Sequence, residues 1–242
     1  GASFALFQRF LILPMMDGPA RSIWLLPLSL VFFLPTIHRL VIPSRFSDLY
    51  TGGNWFRAGM LFLFTWLAAS VAMINPPLGD IAAPEVPEGI GIADTEDVAS
   101  VEYNGKDLIL SVADGSPDIT IGFSVRDNWK LEDIHMNATI QRYGDAEVVL
   151  AGWMLDSESA TLSNQRYMEI ANWTGSAEPA SKVEDMGFAF DLESLEPGIH
   201  TISIRLVEEG DLWKNQWSGE YTLNVQVPVS YTHLTLPTSN GV

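Results

Sequence analysis

Trp55–Ile74 reads WFRAGMLFLFTWLAASVAMI, twenty residues whose single charge, Arg57, stands near one end. A helix of about that length crosses the hydrocarbon of a bilayer, and an arginine at its end reaches the interface through its long side chain. The stretch divides the chain. The residues before it read as membrane, and those after it read as a domain in water.

The charge distribution supports that division. Residues 1–75 hold five arginines (Arg9, Arg21, Arg39, Arg45, Arg57) against Asp17 and Asp48, a net +3. The chain as a whole carries −17, so the remainder carries −20. Acid of that density repels phosphate backbones and argues against nucleic acid as a partner. There is no cysteine, which excludes disulfides, thiolate metal sites and cysteine nucleophiles. A domain this large buries an adequate core without disulfides, so export is compatible with the composition.

Upstream of the long stretch, Phe4–Met16 (FALFQRFLILPMM) is too short to span. It reads either as the end of a longer transmembrane helix, a partial helix 4–16, or as an interfacial amphipathic helix with Arg9 toward water. After Asp17-Gly18-Pro19 comes Ser22–Ile42, apolar except for His38 and Arg39 and interrupted by Pro27 and Pro35, which predicts a kinked span. His38 and Arg39 suit an interfacial anchor, with a proton or ion relay as the alternative. Arg39, Arg45 and Arg57 cluster around the loop Pro43–Asn54, whereas no Lys or Arg follows Ile74 until Lys106. By the positive-inside rule that loop is cytoplasmic and the rest of the chain external. Residues 1–75 are therefore expected to be a membrane segment with spans at 22–42 and 55–74.

Residues 76–97 open with prolines 76, 77, 84 and 87, which prevent a persistent helix or central strand and predict an extended linker. From Val98 the hydrophobic period becomes two. Ile119/Ile121/Phe123/Val125, Ile134/Met136/Ala138/Ile140, Met186/Phe188/Phe190/Leu192, Ile202/Ile204/Leu206 and Tyr221/Leu223/Val225/Val227 are each one face of a strand. Asn104-Gly105, Asp114-Gly115, Gly144-Asp145 and Pro197-Gly198 stand between such runs as turns. No helical period is visible after residue 98. The fold class expected is a membrane α-helical hairpin plus an all-β domain, an antiparallel sandwich over 98–228.

One segment carries a family resemblance. Leu195-Glu-Pro-Gly198-Ile-His200-Thr-Ile202-Ser-Ile204-Arg205, then Trp217-Ser218 and Leu223-Asn-Val225-Gln-Val227, resembles the last two strands of immunoglobulin-like and fibronectin-III-like domains of bacterial and archaeal surface proteins. In that resemblance His200 stands where the family often has a corner tyrosine, and Ile202 where disulfide-bearing members have cysteine. It implies architecture and says little about ligand. The segment Val229–Thr238, VSYTHLTLPT, resembles a translated sequencing adapter, so 229–242 is expected to be a non-native tail, with both ends of the natural protein lying beyond this sequence.

Candidate sites are few. His38, His135 and His200 lie far apart, without metal-ligand spacing or a nucleophile motif. No catalytic set, cofactor or metal is expected. Asp94, Glu96 and Asp97 offer hard oxygens for calcium but lack the D-x-D-x-D-G pattern and read as a solvated loop. Asn137-Ala-Thr139 and Asn172-Trp-Thr174 are glycosylation sequons on the side expected to be external. Trp213 and Trp217, in Glu208–Gly219, are expected on a long loop where paired aromatics suit a protein or glycan partner or cover the core. The function these features point to is a membrane-anchored extracytoplasmic binding, adhesion or scaffolding module, with the lipid bilayer as its first partner. The alternative is an accessory or sensory ectodomain of a larger polytopic transporter or receptor.

Overall fold

The computed structural model describes residues 1–16, 22–113, 115–175, 185–210 and 212–227. It is a mixed helix and sheet protein in two compact units, one of Gly1–Pro84, Asp127–Ile134 and Val207–Trp217, the other of Glu85–Arg126, His135–Leu206 and Ser218–Val242.

In the first unit the N-terminal segment is helical from α1 (Ala2–Phe7) through a π turn at Gln8–Ile12 and a 3-10 turn at Leu13–Met15. It packs on the long helix, where Trp66 Nε1 donates to Gln8 Oε1 at 2.9 Å. Helix α2 (Ser22–Val41) contains Pro27 and Pro35. The loop after it holds one helical turn, α3 (Ser44–Ser47), and α4 runs Gly52–Ile74, starting three residues before the apolar stretch. Gly59 lets α2 approach, since a methyl there would stand 3.2 Å from Val31. Among the described residues α4 alone is long and apolar enough to cross a membrane, and 11% of its most apolar window is buried. Leu26–Val41 within α2 is a shorter apolar stretch.

The described residues form ten strands in two sheets. They are β1 (Gly91–Ala93), β2 (Val98–Asn104), β3 (Asp107–Val112), β4 (Ile119–Val125), β5 (Ile134–Arg142), β6 (Val148–Met154), β7 (Trp173–Gly175), β8 (Met186–Leu192), β9 (Gly198–Glu209) and β10 (Lys214–Gln226). One sheet has the order β7-β1-β4-β8 and the other β2-β3-β10-β9-β5-β6. The five alternating runs fall in strands except for Val227, which lies past the end of β10 and is exposed, and Gly105 and Gly144 take the positive φ their turns require. Trp153 of β6 stacks on Phe190 of β8 at 6.0 Å, and Phe123 of β4 stacks on the same ring at 5.6 Å.

Four features differ from the expectation. β3 and β10 pair in parallel, Leu108 opposite Leu223 and Leu110 opposite Val225, so the sheets are not wholly antiparallel. A helix, α5 (Glu158–Glu169), lies within the strand region, capped by Ser157 Oγ, which accepts from the Ala160 N–H. Its buried residues are Ala160, Ser163 and Tyr167. Two are small and two carry a hydroxyl, so no apolar stripe betrays the period. The stretch read as a linker is structured in its second half: Glu85 and Arg126 exchange backbone hydrogen bonds, Ile90 and Ile92 are fully buried, and β1 pairs with β4 and β7. Finally, β9 and β10 meet in a hairpin at 210–213 where a long loop was expected, which puts Trp217 on a strand. The adapter-like segment 229–238 lies outside the described residues.

Helix α5 protects the open edge of β8. Ser163 Oγ donates to the Ala189 carbonyl at 2.8 Å and accepts from the Ala189 N–H at 3.1 Å, while Asn164 Nδ2 donates to the Gly187 carbonyl at 2.9 Å. Backbone groups that a second chain could pair with are thus occupied. Over the sheet face, the rings of Tyr167 and Trp173 stack at 4.9 Å and lie on a floor of Gly122 and Gly187.

Candidate functional site

The side chains that the fold gathers into one chemical site are Asp80, Asp127 and Glu208, all in the first unit. Each offers a carboxylate oxygen, and these oxygens lie within 4.8 Å of one another.

Asp80 follows α4. Asn75 caps that helix by donating from Nδ2 to the Val71 carbonyl at 2.7 Å, and the chain turns back through Leu78 and Gly79, whose N–H groups donate to the Asn75 carbonyl. A methyl on Gly79 would stand 2.4 Å from the Met73 carbonyl oxygen, so only glycine allows this turn without a shift. Arg9 Nε donates to the same Met73 carbonyl at 3.2 Å. Asp80 is 5% exposed, and its Oδ1 accepts from the Ala82 N–H at 3.3 Å. Asp127 stands two residues beyond β4, with its Oδ2 accepting from the Trp129 N–H at 2.8 Å. Glu208 continues the inward face of β9 after Ile202, Ile204 and Leu206 and is 2% exposed. Its Oε2 accepts from Nδ2 of Asn215, an inward-facing residue of β10 that is itself 3% exposed.

Each acid thus has one oxygen fixed by a protein N–H. Asp80 Oδ2 and Asp127 Oδ1 are buried and are reached by no N–H or cationic group. Among the described residues none of the ion pairs reaches the three acids. Burial pushes the Glu208 carboxyl up to about 7, against the Asn215 bond, and the charges of Asp127 and Asp80, with a hydrogen bond between the Glu208 and Asp80 carboxyls, add to the rise. Burial likewise raises Asp127, opposed by the Trp129 N–H and increased by Asp80. Oxygen donors of this kind suit a hard cation, with Asp80, Asp127 and Glu208 as its ligands.

The sequence-derived candidates are dispersed. Asn137 is exposed on the outward face of β5, and Asn172 is exposed just before β7. Their sequon threonines are engaged: Thr139 Oγ1 donates to Glu147 Oε1 at 2.6 Å and Thr174 Oγ1 to Asp94 Oδ1 at 2.7 Å. Asp94, Glu96 and Asp97 are exposed and do not gather as a ligand set. Trp213 and Trp217 are half-buried. His135 is exposed on β5, His38 sits among Tyr50 and Trp55, and a ring nitrogen of buried His200 bonds the Glu196 carbonyl at 2.8 Å. Sequence reasoning missed the acidic site. Its one legible signal was the alternation of β9, which carries Glu208 inward if extended by two residues.

Neither a protein-family model nor a curated protein sequence matches the chain, so its function is read from geometry.

Proposed function

We propose that this protein is a membrane-anchored module in which α4 crosses the bilayer and an immunoglobulin-like sandwich of the two sheets serves outside the cell in binding, adhesion or scaffolding. The observation that carries this reading is the bare apolar surface of α4. Phe56, Leu61, Phe64, Leu67 and Val71 are exposed along it, whereas a core helix of the same composition would bury them. His38, Tyr50 and Trp55 add support. Their rings cluster at the start of α4, with Tyr50 and Trp55 centroids 4.9 Å apart, as amphipathic aromatics do at a headgroup boundary. The His200 bond to Glu196, four residues upstream, does what a corner tyrosine does in such sandwiches and supports the immunoglobulin-like reading.

The test is cysteine labelling of intact cells, possible on an empty background because the chain has no cysteine. An impermeant maleimide should modify Ser116→Cys, exposed between β3 and β4, and spare Ser44→Cys, exposed in the arginine-bearing loop. Labelling of Ser44→Cys alone, or release of the protein from membranes by alkaline carbonate, would refute the proposal.

A further inference from the structure

We propose that Asp80, Asp127 and Glu208 bind one divalent cation of calcium's size, tying the turn after α4 to the Asp127–Ile134 and Val207–Trp217 segments. Acidic residues cluster on many surfaces without a ligand; two observations set this group apart. First, Asp80 is buried to nineteen parts in twenty, yet no N–H or cationic group reaches its Oδ2, and Asp127 Oδ1 is buried and equally unmet. A buried carboxylate oxygen without a partner costs free energy that a cation bound between these groups would recover. Second, the other oxygen of each acid is held: Asp80 by the Ala82 N–H, Asp127 by the Trp129 N–H, Glu208 by Asn215. Supporting bonds of this kind orient ligands toward a metal.

The spacing and the donor type together favour calcium. Two oxygens that share one calcium at about 2.3–2.6 Å stand no farther apart than about 5 Å, and for magnesium at about 2.0–2.1 Å the limit is about 4.2 Å. The three ligand oxygens lie within 4.8 Å of one another, inside the calcium limit, and magnesium further demands near-ideal octahedral geometry and sheds its waters reluctantly. The donors are all carboxylate oxygen, with no imidazole or thiolate, which favours calcium over zinc or copper. A cation held here does not depend on which side of a membrane the sheets occupy.

The experiment uses the full chain, purified in detergent and stripped with chelator, titrated with CaCl2 by calorimetry and by equilibrium dialysis of radioactive calcium, with MgCl2 as the second arm. One saturable calcium per chain is expected, with magnesium at least tenfold weaker. Asp127→Asn and Glu208→Gln should each weaken calcium at least tenfold, and Glu96→Gln, in the exposed acidic loop, should not change it. At CaCl2 a hundred times the dissociation constant, the folded-to-unfolded ratio of the wild type should rise about a hundredfold. Asp127→Asn should show no such rise. Asp127 is only partly buried, so this variant keeps the test open if Glu208→Gln does not fold. The proposal is overturned by no saturable uptake up to about 10 mM, well past the weak end of protein calcium sites. It is equally overturned by binding that survives Asp127→Asn with Glu208→Gln, or by magnesium binding as tightly as calcium.

Discussion

Replacing Gly187 with alanine should destabilise the protein by an amount that Tyr167 determines. A methyl on Gly187 would stand 2.1, 2.3 and 2.5 Å from three carbons of the Tyr167 ring. Carbon atoms rest at about 3.5–4 Å, so the ring must retreat by more than about 1 Å. It has little room, being 7% exposed and stacked on Trp173 at 4.9 Å. Overpacking of this kind costs about 1–3 kcal/mol, while replacing a strand glycine by alanine returns about 0.5–1 kcal/mol. The net expectation is a loss of about 1–2 kcal/mol. Tyr167→Ala should itself cost about 3–5 kcal/mol, as aromatic truncations in cores do. With that ring gone, Gly187→Ala should become neutral or stabilising by up to about 1 kcal/mol, which makes the coupling at least about 1 kcal/mol. The assay is a double-mutant cycle by urea titration at fixed detergent concentration, followed by tryptophan fluorescence. Equal cost of Gly187→Ala in both backgrounds would refute the reasoning, because backbone conformation and not the ring would then explain the glycine.

Other outcomes rest on the same packing. Tyr167→Phe should be neutral or stabilising by about 1 kcal/mol in thermal unfolding, since the Tyr167 hydroxyl is buried without a partner and desolvation pushes its pKa up to about 12. Phe190→Ala, which removes the ring stacked on both Phe123 and Trp153, should cost about 3–5 kcal/mol by the same measure. Arg126→Ala should destabilise more than Arg142→Ala. Arg126 grips Asp185 with two hydrogen bonds of 2.8 and 2.7 Å, and the Asp185 side chain is 1% exposed, whereas Glu196 opposite Arg142 is 59% exposed. Burial and the nearby Arg142 charge lower the pKa of His200, against Asp145. Its neutral form thus contributes stability that is present above about 6.5 and is lost as pH falls toward the folded pKa. The advantage of wild type over His200→Tyr should therefore shrink from pH 7.5 to pH 5, and an advantage that grows on acidification would contradict the sign.

Five strands were readable because one face is buried, and the alternation of Ile202, Ile204 and Leu206 or of Tyr221, Leu223 and Val225 is a direct record of sidedness. Helix α5 left no such record, since it docks through Ser163, Asn164 and a tyrosine rather than an apolar stripe. The parallel pairing of β3 with β10 was invisible for a different reason. Period two tells which face a residue occupies but not which strand lies beside it. The acidic site was the least legible part. Asp80, Asp127 and Glu208 are 47 and 81 residues apart in the chain, and each alone looks like one more acid in an acidic protein. Only the fold shows that two of them are buried.

The parallel ladder also sets a schedule for synthesis. Leu108 and Leu110 of β3 are fully buried, with Leu223 and Val225 as their neighbours in β10, so each waits 115 residues for its partner. At translation rates of about 5–20 residues per second, that interval lasts roughly 5–25 seconds. Throughout it the β2–β3 hairpin emerges with its inner edge open, and β10 is the last of the described strands to leave the ribosome. Newly made chains should therefore spend those seconds as the form most exposed to chaperones and proteases, and a stall before Lys214 should hold them there.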